Sequence, residues 1–202
     1  MCFGAVRVPT LFKGGVMKDK ITDIEVKRVE NPKSHTIYEV SYTQSGKRYT
    51  KEVSKSLDVV KVLLYHKERD AFILVKQFRA LVYINHPELA IRYELCGGRE
   101  DKDGLSSEEI AKEEVLEECG YKVDSLEKIT TLTTGGTMTL FYGEVDESMK
   151  VNSGGGLEEE NIELVYLPVS KAKAFMFDES KPKRPALMFA FCWFLSNKCE
   201  KF

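Results

Sequence analysis

One stretch constrains this chain more than any other. Cys96 to Tyr121, CGGREDKDGLSSEEIAKEEVLEECGY, joins a glycine pair, a charged loop and a helix with marked ends. Ser106 is a good N-cap with Glu109 three residues on, the pattern of a capping box, and Gly120 can turn left-handed at the other end. The helix is expected over about Ser107 to Cys119. Within it Glu108, Glu109, Glu113, Glu114, Glu117 and Glu118 are opposed by Lys112 alone. Like charges three or four residues apart repel by roughly a few tenths of a kcal/mol each, so compensation has to come from elsewhere.

Spacing suggests its source. Glu114, Glu117 and Glu118 stand at i, i+3 and i+4, which brings three carboxylates to one face, while Ile110, Ala111, Val115 and Cys119 can pack another face inward. Clustered carboxylate oxygens suit hard divalent cations such as Mg²⁺ or Mn²⁺, which also bridge to substrate phosphates. Taken alone, an acid-rich helix is more often a solvated face; the glycines on both sides of this one favour a site.

The stretch resembles the Nudix box, Gly-x5-Glu-x7-Arg-Glu-U-x-Glu-Glu-x-Gly-U, where U is a bulky apolar residue. Glu114, Val115, Glu117, Glu118, Gly120 and Tyr121 match its C-terminal half, and Gly98 fits the opening glycine. Two positions depart from it. Leu105 stands where the first glutamate belongs, one residue late, and Glu113 replaces an arginine that normally braces the glutamates. These departures leave open a Nudix-fold binding or regulatory module without turnover beside the enzyme reading. Further similarity, from about Val59 to the C-terminus, lies in Leu-Val-Lys-Gln-Phe-Arg (74–79) and the terminal Cys-Trp-Phe-Leu-Ser (192–196), which are similar to the ADP-ribose and UDP-sugar pyrophosphatase branch.

The resemblance implies an α/β/α sandwich with a mixed β-sheet, preceded by a small antiparallel β domain. It implies Mg²⁺-dependent hydrolysis of a nucleoside diphosphate sugar, with Mn²⁺ as a substitute ion. Glu114, Glu117, Glu118 and the Gly97 carbonyl would hold metal, and Arg79 would meet the diphosphate, a task that suits a guanidinium fork. Glu94 is either a further site carboxylate or the orienting partner of a backbone group. After Asn152-Ser153-Gly154-Gly155-Gly156, a flexible run in this reading, Glu160 best matches the family's loop glutamate, which binds metal or activates water; Glu158 is the alternative. The Gly135-Gly136 turn is shorter than the loop with which many relatives select base or sugar.

The remaining chain is read from pattern. Tyr38, Val40 and Tyr42 alternate with polar residues, then Ser45-Gly46 leads to Tyr49, Lys51 and Val53, a β-hairpin; Ile24 and Val26 suggest a third strand. Relatives build a dimer with such a sheet, so a homodimer is expected. Residues 1–16 read as an extension upstream of Met17, residues 17–57 as the small β domain and 58–202 as the hydrolase domain. Val59 to Tyr65 and Phe72 to Phe78 read as central strands, Ala80 to Arg92 as a loop, Leu126 to Thr134, Met138 to Val145 and Ile162 to Leu167 as strands, and Pro185 to Asn197 as a helix with Leu187, Phe191 and Phe194 in the core.

A net charge of −2 argues against a nucleic-acid partner. Arg7, Pro9 and Lys13 break the opening apolar run, which argues against a signal peptide or a membrane span. The five cysteines have no disulfide-framework spacing, which fits reduced thiols in the cytoplasm. The three histidines lack zinc-ligand spacing.

Overall fold

The computed structural model describes residues 37–133, 135–157 and 160–199. The extension, the suggested strand at Ile24 and Val26, and Glu158 lie outside them.

Two apolar runs set the architecture. β3 (Val59–His66) and β4 (Ala71–Phe78) are almost wholly buried, as strands covered on both faces must be. They join β5 (Ile91–Glu94), β6 (Glu127–Thr133), β7 (Thr137–Val145) and β8 (Glu163–Pro168) in a six-stranded sheet of order β5-β4-β3-β7-β6, with β8 on the other edge of β4. β3 and β7 run parallel in register from Val59 opposite Met138 to His66 opposite Val145; the other pairings are antiparallel, so the sheet is mixed.

Alternation along the strands divides the core into two layers. Val60, Val62, Leu64, Ile73 and Val75 face α2 (Ser107–Glu114) through its Ile110 and Ala111, together with Val115 and Cys119 just beyond it. Leu63, Phe72, Leu74 and Leu140 face α3 (Ala172–Phe177, numbered after the short α1 below) and α4 (Pro185–Asn197). Phe72 stacks on Phe191 at 4.5 Å between centroids and meets Phe194 edge-on at 4.8 Å; such pairs add about 0.5–1.5 kcal/mol to the burial of their area. The result is the expected α/β/α sandwich.

The stretch expected to be loop, Ala80 to Arg92, instead holds α1 (Ala80–Asn85), a 3₁₀ turn at Pro87–Leu89 and the start of β5. Tyr83 is its buried anchor, against Phe78 at 5.7 Å. Leu81 and Ile84 point outward, 77% and 61% exposed, which blurred the helical period.

The hairpin is present as β1 (Ile37–Gln44) and β2 (Lys47–Ser54), paired from Ile37 opposite Ser54 to Gln44 opposite Lys47. Every residue in it is exposed.

Candidate active site

The capping box forms as expected. The Glu109 N–H donates to Ser106 Oγ and the Ser106 N–H to Glu109 Oε2. The last turn, Val115–Cys119, is π-helical and closes on Gly120 at φ 76°. Widened turns of this kind recur at functional sites, and this one carries Glu117 and Glu118.

The segment after β5 is laid along the start of β3. The Val62 N–H donates to the Cys96 carbonyl at 2.8 Å and the Val60 N–H to the Gly98 carbonyl at 3.0 Å. Gly97 is required by this approach, and Gly98 leaves room for the Glu114 carboxylate. A Cβ on Gly97 would sit 2.3 Å from the Val60 carbonyl oxygen, and one on Gly98 would sit 2.1 Å from Glu114 Oε1. The Gly97 N–H in turn donates to Glu118 Oε2 at 2.8 Å.

A cleft of about 610 Å³ results, lined by Glu114, Glu117, Glu118, Gly97, Gly98, Arg79 and Glu160 among others. Five predicted side chains and Gly97 thus line one cleft. Burial raises Glu114 to about 7, with the charges of Glu118 and Glu117 adding to the effect. Glu118, only 4% exposed, is also raised by burial, against the opposing pull of Lys61 and of the Gly97 N–H. Carboxyls held above their ordinary range in a water-accessible cleft are short of positive charge.

Glu94 pairs with the arginine of the cleft. It is 1% exposed and grips the Arg79 fork, accepting from Nε at 3.0 Å and Nη2 at 2.6 Å, with Arg184 Nε 3.4 Å away. Burial would push its carboxyl up, yet Arg79, with Arg184 and Lys61, brings it below its ordinary value. Glu94 therefore orients a guanidinium rather than a backbone group, and leaves the rest of the Arg79 fork facing the cleft.

The glycine run is docked rather than loose. Gly155 N–H donates to the Glu118 carbonyl at 2.9 Å and Gly156 N–H to the Glu117 carbonyl at 3.1 Å, capping the open end of the π turn. A Cβ on Gly154 would meet the Glu118 carbonyl oxygen at 2.4 Å. This brings Glu160 to the cleft, where its carboxylate folds back and accepts from the Leu157 N–H at 3.3 Å.

Four cations lining the cleft were missed: Lys61, Arg99, Lys102 and Arg184. Lys61, 6% exposed, donates from Nζ to the Leu95 carbonyl at 3.3 Å and, more closely, to the Gly97 carbonyl. A lysine inside the otherwise apolar VVKVLLY was the signal for it. Lys102 Nζ reaches Glu113 Oε2 at 2.5 Å and Glu117 Oε1 at 3.6 Å, so a lysine from the loop lies where the resemblance lacks its arginine. Arg184, just ahead of α4, lines the cleft; nothing in the sequence marks Lys102 or Arg184.

No family model matches the chain. It is 34% identical over 189 residues to the uridine diphosphate glucose pyrophosphatase of Bos taurus, covering 77% of this chain and 85% of that one. It is 39% identical over 136 residues to the GDP-mannose pyrophosphatase of Pectobacterium atrosepticum, covering 65% and 69%. A crystal structure of an ADP compounds hydrolase superposes with a TM-score of 0.66 at 18% identity over 86% of this chain and 92% of that one, which is a likeness of fold. With the glutamate face, its glycine entry and the mixed sandwich in place, the chain belongs to the Nudix hydrolases, in the branch of the nucleotide-sugar pyrophosphatases.

Proposed function

We propose that the chain hydrolyses the diphosphate bond of a nucleoside diphosphate sugar, of UDP-sugar or ADP-ribose type, to a nucleoside monophosphate and a sugar phosphate. The observation that carries this reading is the cleft in which Glu114, Glu117 and Glu118 face a guanidinium held rigid by Glu94. The donor set fits a hard cation: carboxylate oxygens with raised pKa values beside a backbone carbonyl, at an entry where Gly98 has no side chain to interfere. Glu114, Glu117, Glu118 and the Gly97 carbonyl would hold a divalent ion, Mg²⁺ or Mn²⁺, which would supply charge to neutralise the diphosphate oxygens and acidify water.

The chain's own groups do the rest. Arg79, pinned on one edge by Glu94, offers its remaining N–H groups to the diphosphate. Water adds through oxygen to one phosphorus, the bridging P–O bond breaks, and the departing phosphate keeps the electron pair. Glu160 takes the water proton once it leaves the Leu157 N–H. A hollow of about 680 Å³, lined by Ser56, Leu57, Met138 and Phe189, shares Val59 and Arg184 with the cleft and gives room for a sugar or nucleoside. Lys102 beside Glu113 favours an enzyme over a module without turnover, because the missing arginine's charge is supplied by another residue.

The exposed hairpin supports a homodimer. Tyr38, Val40, Tyr42, Tyr49 and Val53 share one face, and Tyr42 stacks on Tyr49 at 5.4 Å. An isolated two-stranded hairpin is marginal in water; a second copy would cover that face, and residues 17–57 would form the dimerising domain with 58–202 as the catalytic one. The free thiols of Cys96, Cys119, Cys192 and Cys199 fit the cytoplasm, and among the described residues no helix is long and apolar enough to cross a membrane.

The direct test is phosphate release through a coupled phosphatase from ADP-ribose, UDP-glucose, GDP-mannose and dinucleotide polyphosphates, with Mg²⁺ or Mn²⁺, comparing wild type with Glu118→Gln. Turnover of a diphosphate sugar that collapses in the variant is expected. A folded, metal-binding protein that turns over none of them would show a module without turnover.

A further inference from the structure

Lys61 interrupts a strand whose neighbours Val60, Val62, Leu63 and Leu64 are fully buried. Burying an ammonium is costly unless it is paired and hydrogen-bonded, so its position has to be held by something. What holds it is the entry of the acidic cluster: the Leu95 and Gly97 carbonyls accept from Nζ, and the Gly97 N–H on the same residue donates to Glu118. Gly97 is thereby clasped between a cation and a carboxylate. The field of Lys61 also acts on Glu94, Glu114 and Glu118.

We infer that Lys61 is a tethered cation that occupies the Gly97 carbonyl and so lowers the divalent-ion affinity of this site. The inference rests on the metal-site reading above. An ion approaching Glu114 and Glu118 meets a positive charge already in place, and its backbone ligand is engaged by an amine. Removing the ammonium relieves both penalties. The protein without metal loses the counter-charge at the same time, so its carboxylates become more dependent on the ion.

Calorimetric titration with Mn²⁺ alone, without substrate, tests this on the full chain. Lys61→Met and Lys61→Thr are each expected to bind Mn²⁺ more tightly by about tenfold, within the usual span of coupling between two bound species. The metal-induced rise in Tm is expected to be larger in both, while Lys61→Arg stays close to wild type. Equal or weaker affinity in the folded Met and Thr variants, with wild type binding normally, overturns the inference and leaves the metal-site reading standing. Failure of every form to bind Mn²⁺ overturns both. A crystal structure of the wild type with Mn²⁺ gives a result that needs no variant: the ion and Nζ are expected never to share the Gly97 carbonyl oxygen, and finding both on it overturns the inference.

Discussion

β3 has an acidic cluster near each end, and the two are electrostatic opposites. Near its start Glu114 and Glu118 are sunk against glycines and raised above their ordinary pKa, with one buried lysine in reach. Past its end, Asp146 and Glu147 are matched by cations: Lys67 lies 3.0 Å from Asp146, and Arg69 donates from Nε to Glu147 Oε1 at 2.8 Å. There the serine and lysine contacts hold Asp146 at about 2, and Arg69 lowers Glu147. His66, Glu68 and Glu147 bring ligand atoms within 4.8 Å of one another, a grouping that on residue types alone looks like a metal site. Arg69 already satisfies Glu147, whereas among the described residues no ion pair satisfies Glu114. Unbalanced charge distinguishes a site built for a cation from an exposed ion-pair network.

The largest expected effect breaks this contrast outright. Glu118→Gln should lower kcat/KM by roughly a hundredfold or more, the upper end of what even outer-shell metal residues cost, while Glu147→Gln should leave it within about twofold. Steady-state kinetics on the diphosphate sugar turned over by wild type decides it. Comparable losses in the two variants would mean that the clusters are not functionally distinct.

Next is the response to metal. At a hundredfold excess over Kd, a ligand that binds only the folded state adds about 2.7 kcal/mol, which for a chain of this size is a rise in Tm of about 5–10 °C. Glu114→Gln should lose most of that rise and Glu147→Gln none. A Tm indifferent to millimolar Mg²⁺ and Mn²⁺ in the wild type counts heavily against the cleft as a cation site.

Smaller, and of opposite sign at the two clusters, is the dependence on pH without metal. Glu114 is raised in the folded chain, so its contribution to stability is full below its ordinary value near 4.5 and is lost as pH climbs towards about 7. Asp146 is lowered, so its contribution is present above 3.8 and is lost as pH falls towards about 2. Melting curves of Glu114→Gln should flatten only the first window, and those of Asp146→Asn only the second. Because metal competes with the Glu114 proton, Mn²⁺ affinity should also weaken below about pH 7.

Sequence reached the side chains whose spacing along one element fixes their direction. The capping box and the three-carboxylate face follow from local spacing, the arginine closing β4 from the family resemblance, and the carboxylates and the arginine line one cleft. What it missed depends on contacts between distant segments. Lys102 meets Glu113 across a loop, Arg184 reaches Glu94 from ninety residues away, and the glycine run is fixed only because a π turn leaves the Glu117 and Glu118 carbonyls open. Glu94 illustrates the limit: its place in the site was legible, and its partner was not.

The smallest effect concerns the departure at Glu113, and it isolates the catalytic end of the contrast. Lys102 is 39% exposed and Glu113 44%, so their ion pair is worth about 0–1 kcal/mol and Lys102→Met should shift Tm by no more than about 2–4 °C. Yet the same ammonium reaches Glu117 at 3.6 Å, on the face that would hold metal. Lys102→Met should therefore cost about tenfold in kcat/KM, the lower end for residues that position ligands, mainly through a raised requirement for Mg²⁺. Adding Glu113→Arg in that background restores a cation beside Glu117 from within the helix, and activity should recover in part. If Lys102→Met behaves as wild type at limiting Mg²⁺, the loop lysine is only a surface partner of Glu113, and Glu117 is held by the helix alone.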